Sequence, residues 1–224
     1  MKAERLVILI SGRGSNALAI EEATRNGQLA ARVNAVIADR PAAGLETMAT
    51  RGVDTARISH CAYRDKTAFE QDLLHTIRGY SPDLVALAGF MRVLSEQFVS
   101  QFSGRLVNIH PSLLPRHRGL DTHRRVLAAG ETSHGASVHF VTAELDAGPV
   151  LTQVRIPVQP EDRPETLEAR LLKHEHRLYP ATLALLNRNL VEYRHDGIFI
   201  NGEPLAEPLL LDRDFGPDGE LLAG

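Results

Sequence analysis

The sequence predicts an α/β protein built on a mostly parallel, twisted sheet with helices on both faces. Three observations predict it. Short unbroken runs of branched apolar residues recur along the chain, as strands buried on both faces require. Segments with helical apolar spacing alternate with those runs, in the β-α-β-α order whose crossovers make neighbouring strands parallel. The first run ends in a glycine-rich turn, SGRGSN, that opens a helix. With 224 residues, 43% of them hydrophobic, the chain can bury one sizeable core, and one domain is favoured over two.

Each element has its own reason. Residues 6–10 (LVILI) form the first strand, being continuously apolar. Residues 16–25 place Ala17, Ile20 and Ala23 at helical spacing, and Gly27 suits the C-terminal cap. Residues 33–38 are a second strand, 45–51 a helix stopped by Gly52, and 56–59 a short third strand. Asp65 is an N-cap for a helix over 66–78, whose apolar face is Phe69, Leu73, Leu74 and Ile77. Residues 84–88 are a strand ending at Gly89, Ser95 starts a short helix, and 106–109 are a further strand. After Gly130 the texture changes: 136–141 and 150–158 read as longer strands joined through a Gly148-Pro149 turn. Residues 164–186 are helical, with Pro180 expected to kink or split them. From Glu203 onward Pro, Gly and acidic residues prevail, and an irregular or frayed tail is expected.

Composition narrows the function classes. A formal net charge of -3 gives no electrostatic case for nucleic acid or an acidic membrane surface. The single cysteine, Cys61, allows no internal disulfide and permits a reducing compartment; His60 beside it reads as a chance neighbour in a loop. The start of the chain lacks the apolar core and cleavage site of a signal peptide. No apolar run approaches the ~20 residues that span a bilayer. A cytoplasmic protein is the expectation.

In open parallel sheets ligands bind at the carboxyl ends of the strands, which directs attention to two stretches. Gly12-Arg13-Gly14-Ser15-Asn16-Ala17 has the G-x-G-x-x-A form of a dinucleotide site, with Asp39 where a ribose-binding acid is expected. A helix N-terminus attracts any phosphate, so the turn alone leaves NAD and other phosphates open. The second stretch is NIHPSLLP. Asn108 and His110 are two apart on a strand and share a face, and Pro111 and Pro115 stiffen the exit. Further on, ELDAGPV sets Asp146 in a turn after a strand. Asn and His can donate to a developing oxyanion, and Asp can orient the imidazole, so the trio suggests acyl chemistry. Taken singly, a His at a strand end is more often structural, and an Asp before Ala-Gly-Pro is commonly a turn residue. No serine or cysteine occupies a nucleophile elbow, so a covalent acyl-enzyme is not indicated.

Five blocks, SGRGSN (11–16), LAGFMRVLS (87–95), NIHPSLLP (108–115), GASVHFVTAELDAGPV (135–150) and HEHRLYP (174–180), run in one order over roughly residues 5–190. Together they resemble the phosphoribosylglycinamide formyltransferase family, which is folate-dependent and has a Rossmann-like formyltransferase fold. The resemblance implies formyl transfer from 10-formyltetrahydrofolate to the amine of 5′-phosphoribosylglycinamide, in de novo purine biosynthesis. It implies direct attack through a tetrahedral intermediate, with no metal. On it, Asn108, His110 and Asp146 are the catalytic set, with His139 supporting them. Gly14, Ser15 and Asn16 hold the substrate phosphate, and the G-x-G-x-x-A match reflects shared phosphate physics, leaving Asp39 an ordinary strand-end residue. Glu175 and Pro111 meet the ribonucleotide. Met91, Arg92, Val93 and Leu94 line the folate pocket with Asn108, Thr142 and Asp146, and Lys66 points to the folate tail, where the family often carries arginine.

The implied organisation is a single formyltransferase domain over 1–190, with a phosphate-binding half (1–105) and a folate and catalytic half (106–190), followed by a partly irregular extension, 191–224. The implied partners are small-molecule substrates, with neither nucleic acid nor membrane, and a homodimer is the assembly it allows. One departure is visible. The loop that usually reads G-L-H-T-H carries Asp121 in place of its first histidine, just after Arg116-His117-Arg118. Methionyl-tRNA formyltransferases share the NIHPSLLP-like core, but they normally add a tRNA-binding domain, and this chain is not basic. An NAD-dependent dehydrogenase would use G-x-G-x-x-A and Asp39 and leave Asn108, His110 and Asp146 without a task.

Overall fold

Along β1 (Arg5–Ile10) successive side chains enter two different cores. Leu6, Ile8 and Ile10 face one, and Val7 and Leu9 the other. The same alternation holds in β2 (Arg32–Ala38), where Val36 and Ala38 oppose Ala35 and Ile37, and in β4 (Leu84–Leu87). A continuous apolar run is therefore what a strand covered on both faces needs. The computed structural model describes residues 3–195 and 197–222.

The first core is covered by α1 (Ser15–Arg25), α2 (Ala43–Thr50) and α6 (Pro164–Asn187). The second lies under α3 (Lys66–Gly79) and α4 (Glu96–Ser100). Between them, β3 (Asp54–Arg57), β5 (Leu106–His110), β6 (Ser133–Phe140), β7 (Val150–Pro157) and β11 (Leu209–Leu210) complete an eight-stranded sheet in the order β11-β7-β6-β5-β4-β1-β2-β3. The stretch from β3 to β5 is wholly parallel. β6 runs antiparallel to both β5 and β7, while β11 adds in parallel. Chain progression reverses between β1 and β4, and at such a reversal a crevice opens beyond the strand ends.

Three expectations are corrected. The third strand lies at 54–57 rather than 56–59, because its register is set by pairing with β2, and as an edge strand it shows no buried stripe. Helix α6 is not split: it runs 24 residues straight through Pro180. Residues around the proline are buried, and the Tyr179 hydroxyl reaches the carbonyls of Leu87 and Val107 at 3.0 and 3.2 Å. That packing outweighs the one backbone bond a proline forfeits. The tail is not frayed either. It holds β11 in the main sheet, Leu211 and Phe215 are buried, and Gly219 lies against the backbone of α6.

Further elements stand outside those expected from sequence: α5 (Thr122–Ala128), and β8 (Val191–Arg194), β9 (Gly197–Ile200) and β10 (Glu203–Pro204), which form a small second sheet.

Gly148 shows how closely the turn after β6 approaches the sheet. A β-carbon there would stand 1.8 Å from the Phe140 carbonyl oxygen. Gly148→Ala is expected to destabilise the fold by about 3 kcal/mol or more, read as a lowered denaturation midpoint. A midpoint equal to that of the parent would contradict this packing.

Candidate active site

The turn after β1 bends through Gly14 in the left-handed region, at φ 70°, and delivers the chain directly into α1. No side chain caps the helix and no acid occupies its first turn. The positive end of the helix is thus left without an internal acceptor at Ser15 and Asn16. The Asn16 side chain is buried; its Nδ2 donates to Glu175 Oε2 at 2.8 Å, while its Oδ1 has no partner among the described residues. Glu175, from α6, is itself buried, and burial pushes its carboxyl upward against the opposing hydrogen bond from Asn16. Two residues 159 positions apart in sequence are therefore joined beside this turn.

The turn is fastened to the loop after β4. The Ser11 amide donates to the Gly89 carbonyl (3.1 Å), and the Met91 amide donates to Ser11 Oγ (2.8 Å). Asp39 departs from the expectation of an ordinary strand-end residue. It is buried, with Arg40 Nη2 at 2.9 Å, Arg92 Nε at 3.0 Å and His60 Nδ1 at 3.5 Å from Oδ2. Burial alone would raise this carboxyl, but hydrogen bonds from Arg40, Ser11 and Arg92 hold it below its ordinary value. Cys61, likewise, touches His60, with Sγ 3.1 Å from Nε2.

The loop from Gly89 to Ser95 is anchored at its far end by Glu70, which accepts from the Ser95 amide at 2.8 Å and from its hydroxyl. Lys66 Nζ lies 3.6 Å from the same Glu70. In between, Met91 and Val93 are exposed and Leu94 is buried. An apolar slot walled by Phe90, Val93, Leu94, Val99, Val141 and Leu145 opens here, with Arg92, Asn108, His139, Thr142 and Asp146 as its polar groups. An adjoining cavity places Lys66 beside Met91, Arg92 and Val93.

Asn108 and His110 end β5 on the side of the sheet that Leu106 shares with α3 and α4. Asp146 arrives from the turn after β6, in the left-handed region at φ 49°. The His110 Nδ1 is 3.4 Å from Asp146 Oδ2, and its Nε2 donates to the His117 carbonyl at 3.0 Å. The Gly119 amide donates to Asp146 Oδ2 at 2.9 Å. On the other side, His139 Nδ1 donates to the Phe140 carbonyl (2.9 Å), so its Nε2 accepts from Asn108 Nδ2 (3.1 Å). Burial lowers the His139 pKa, which fits that neutral form. Asn108 is thus left with one free amide hydrogen at the slot, and His110 presents Nδ1 to Asp146 beside it. Such a pair can donate to an oxyanion and move a proton.

Asn108, Asp146, Thr142 and Arg92 therefore meet at one slot, which His110 touches through Asp146; Lys66 and Met91 stand in the adjoining cavity, and Asn16 meets Glu175. Pro111 is half-buried just after His110. Asp121 sits exposed at the N-cap of α5, at φ 58°. Sequence reasoning passed over Ser11, His117 and Gly119. Two of these act through backbone groups, which no side-chain pattern reveals. Among the described residues no group of three or more His, Cys, Asp or Glu is placed to hold a metal ion.

Comparison with known proteins gives a consistent picture. The Formyl transferase family matches residues 4–183. Phosphoribosylglycinamide formyltransferase of Escherichia coli (strain K12) is 42% identical over 201 residues, covering 89% of this chain and 95% of that one. The trifunctional purine biosynthetic protein adenosine-3 of Bos taurus is 40% identical over 197 residues, 88% of this chain but 20% of that larger protein. Among solved structures, the phosphoribosylglycinamide formyltransferase of Coxiella burnetii superposes with a TM-score of 0.89 at 45% identity, covering 93% of this chain and 99% of that one.

Proposed function

The chain belongs to the formyl transferase family, in its phosphoribosylglycinamide formyltransferase branch, and from that premise we propose that Asn108, His110 and Asp146 carry the transfer. The enzyme passes the formyl group of 10-formyltetrahydrofolate to the amine of 5′-phosphoribosylglycinamide, a step of purine biosynthesis. The observation that supports these roles best is that Asn108 and Asp146 line one apolar slot, with His110 Nδ1 3.4 Å from Asp146.

The residues divide the work. Gly14, Ser15 and Asn16 receive the 5′-phosphate on backbone N–H groups at the uncapped start of α1. Glu175 and Pro111 meet the rest of the ribonucleotide, with Glu175 accepting from its hydroxyl groups. The flat pteridine fits between Val93, Leu94, Val141 and Leu145, beside Thr142, and backbone groups of 91–94 satisfy its polar edge. Lys66 faces the anionic tail, and Arg92 lines the pocket. The amine nitrogen then bonds to the formyl carbon, giving a tetrahedral intermediate, and the bond from that carbon to the folate nitrogen breaks afterwards. Asn108 Nδ2 and the protonated Nδ1 of His110 donate to the oxygen as it becomes anionic. Asp146 balances the His110 charge and, through water, relays the amine proton to the departing nitrogen.

In this reading 1–190 form one formyltransferase domain, whose first half (1–105) binds phosphate and whose second (106–190) serves folate and chemistry; 191–224 are an extension. Among the described residues no helix is long and apolar enough to cross a membrane. The reading places the enzyme in the cytoplasm with small-molecule substrates, without nucleic-acid or membrane partners, and admits a homodimer.

A spectrophotometric assay with 10-formyl-5,8-dideazafolate tests the proposal. Deformylation is expected only when glycinamide ribonucleotide is present. Equal deformylation without it would replace transfer by hydrolysis.

Glu175 adds a second expectation. A carboxyl raised by the fold contributes full stability below its ordinary range, and that stability is lost as pH rises through the raised value. Glu175→Gln keeps an acceptor for Asn16 and removes that loss. At neutral pH its melting temperature should rise, by about 2–4 °C for each kcal/mol relieved. Its KM for the ribonucleotide should rise about tenfold or more, from loss of a charged acceptor. An unchanged KM would remove Glu175 from the substrate site.

A further inference from the structure

We infer that the His117–Glu131 pair is a positioning device for catalysis: it holds the His117 carbonyl on His110 Nε2 and so turns Nδ1 toward the reaction. The inference rests on the proposed role of His110.

The loop between β5 and α5 is held in two parts. Its first part is pinned from within the fold. Ser112 Oγ donates to the Arg116 carbonyl at 2.7 Å, and Ser137 Oγ donates to the Ser112 carbonyl at 2.7 Å. The Leu114 amide donates to Ser137 Oγ, and Gln153 Nε2 donates to the Leu114 carbonyl, both at 3.0 Å. Ser112 and Ser137 are fully buried. Nothing in that network reaches residue 117.

His117 is a β-carbon-bearing residue in the left-handed region, at φ 55°, a conformation that needs support. Its carbonyl is the acceptor for His110 Nε2 at 3.0 Å. Its own ring supplies the support: Nε2 donates to Glu131 Oε1 at 2.7 Å, and Arg116 Nη1 reaches Oε2 of the same carboxylate at 3.2 Å. The His117 hydrogen bond, with the Arg116 charge beside it, holds the Glu131 carboxyl below its ordinary value. Glu131 stands on the connection from α5 to β6, outside the substrate crevice.

The consequence for chemistry lies in the ring's tautomer. A carbonyl and a carboxylate can both only accept, so Nε2 keeps its hydrogen on the His117 carbonyl, and the ring's mobile proton is the one on Nδ1 beside Asp146. If the carbonyl swings away, the Nε2 hydrogen is no longer held, the ring can give up either proton, and part of the population keeps the wrong one. Arg118, by contrast, pairs with Glu144 at 2.7 Å beyond this point and does not set the His117 carbonyl.

The test uses the full chain with nitrogen-15 in its histidine rings. In the parent protein without substrates, the His110 hydrogen is expected on Nε2. In Glu131→Ala that pattern should average between the two nitrogens. Its kcat should fall about tenfold, with KM for both substrates within twofold, as a misplaced group at a bound substrate requires. Glu131→Gln still accepts from His117 and should retain at least half of the parent kcat. His117→Asn keeps a residue tolerant of the left-handed region but stops short of Glu131, and should match Glu131→Ala. It serves in place of Glu131→Ala if that variant does not fold. Parent-like kcat in the variants that break the tie, or a loss of kcat with the His110 nitrogen pattern unchanged, would overturn the inference. The nitrogen pattern is read without substrates, so failure of the proposed reaction would leave it intact.

Discussion

Replacing His110 with alanine is expected to lower kcat about 10²-fold or more, with the KM values of both substrates changed little. The ring ends β5 buried beside Asp146, with Nε2 committed to the His117 carbonyl and Nδ1 3.4 Å from the Asp146 carboxylate. Little of it is available for ground-state binding. Its donation is realised as negative charge gathers on the formyl oxygen, so its loss falls on kcat. Loss of one oxyanion donor costs about 10²–10³-fold elsewhere. Asn108 retains its own amide hydrogen in this variant, because His139 and the Phe140 carbonyl fix it independently. Residual transfer should therefore persist above the uncatalysed rate. Steady-state kinetics decide the matter, and a kcat within twofold of the parent would remove His110 from the chemistry.

Asp146→Asn is expected to lower kcat by about 10²–10³-fold while leaving the fold in place. The amide oxygen can still accept from the Gly119 amide, which now donates to Asp146 Oδ2 at 2.9 Å. The left-handed turn that presents the side chain suits Asn as well as Asp. What disappears is the negative charge facing His110 and the group that relays the amine proton. A change of charge without a change of shape separates electrostatics from packing. An unaltered melting temperature with lost turnover is the expected pair of results. Comparable losses in both would show that Asp146 is structural.

The sheet was legible because its strands are buried on both faces. LVILI and LVAL had to be continuous apolar runs, and each lies where the sequence places a strand. The tail and α5 were illegible for the opposite reason. Val126 and Phe215 are buried anchors within polar segments that show no period. The site divides the same way. Asn108 and His110 announce themselves by their spacing on one strand. The pairing of Glu175 with Asn16 spans the chain, and only the family resemblance pointed to Glu175. Asp39 was misjudged because its neighbours Arg92 and Ser11 come from other loops. The grip of His117 and Gly119 runs through a carbonyl and an amide, which every residue has and no pattern displays.

The central claim is that the crevice between β1, β4 and β5 binds two substrates and that Asn108, His110 and Asp146 act on the bond between them. The most direct measurement pairs calorimetric titration of glycinamide ribonucleotide with the single-turnover rate of formyl transfer, in Asn108→Ala and in the parent. The account predicts a Kd within threefold of the parent and a transfer rate lower by about 10²-fold or more. A transfer rate equal to that of the parent once both substrates are saturating would contradict it.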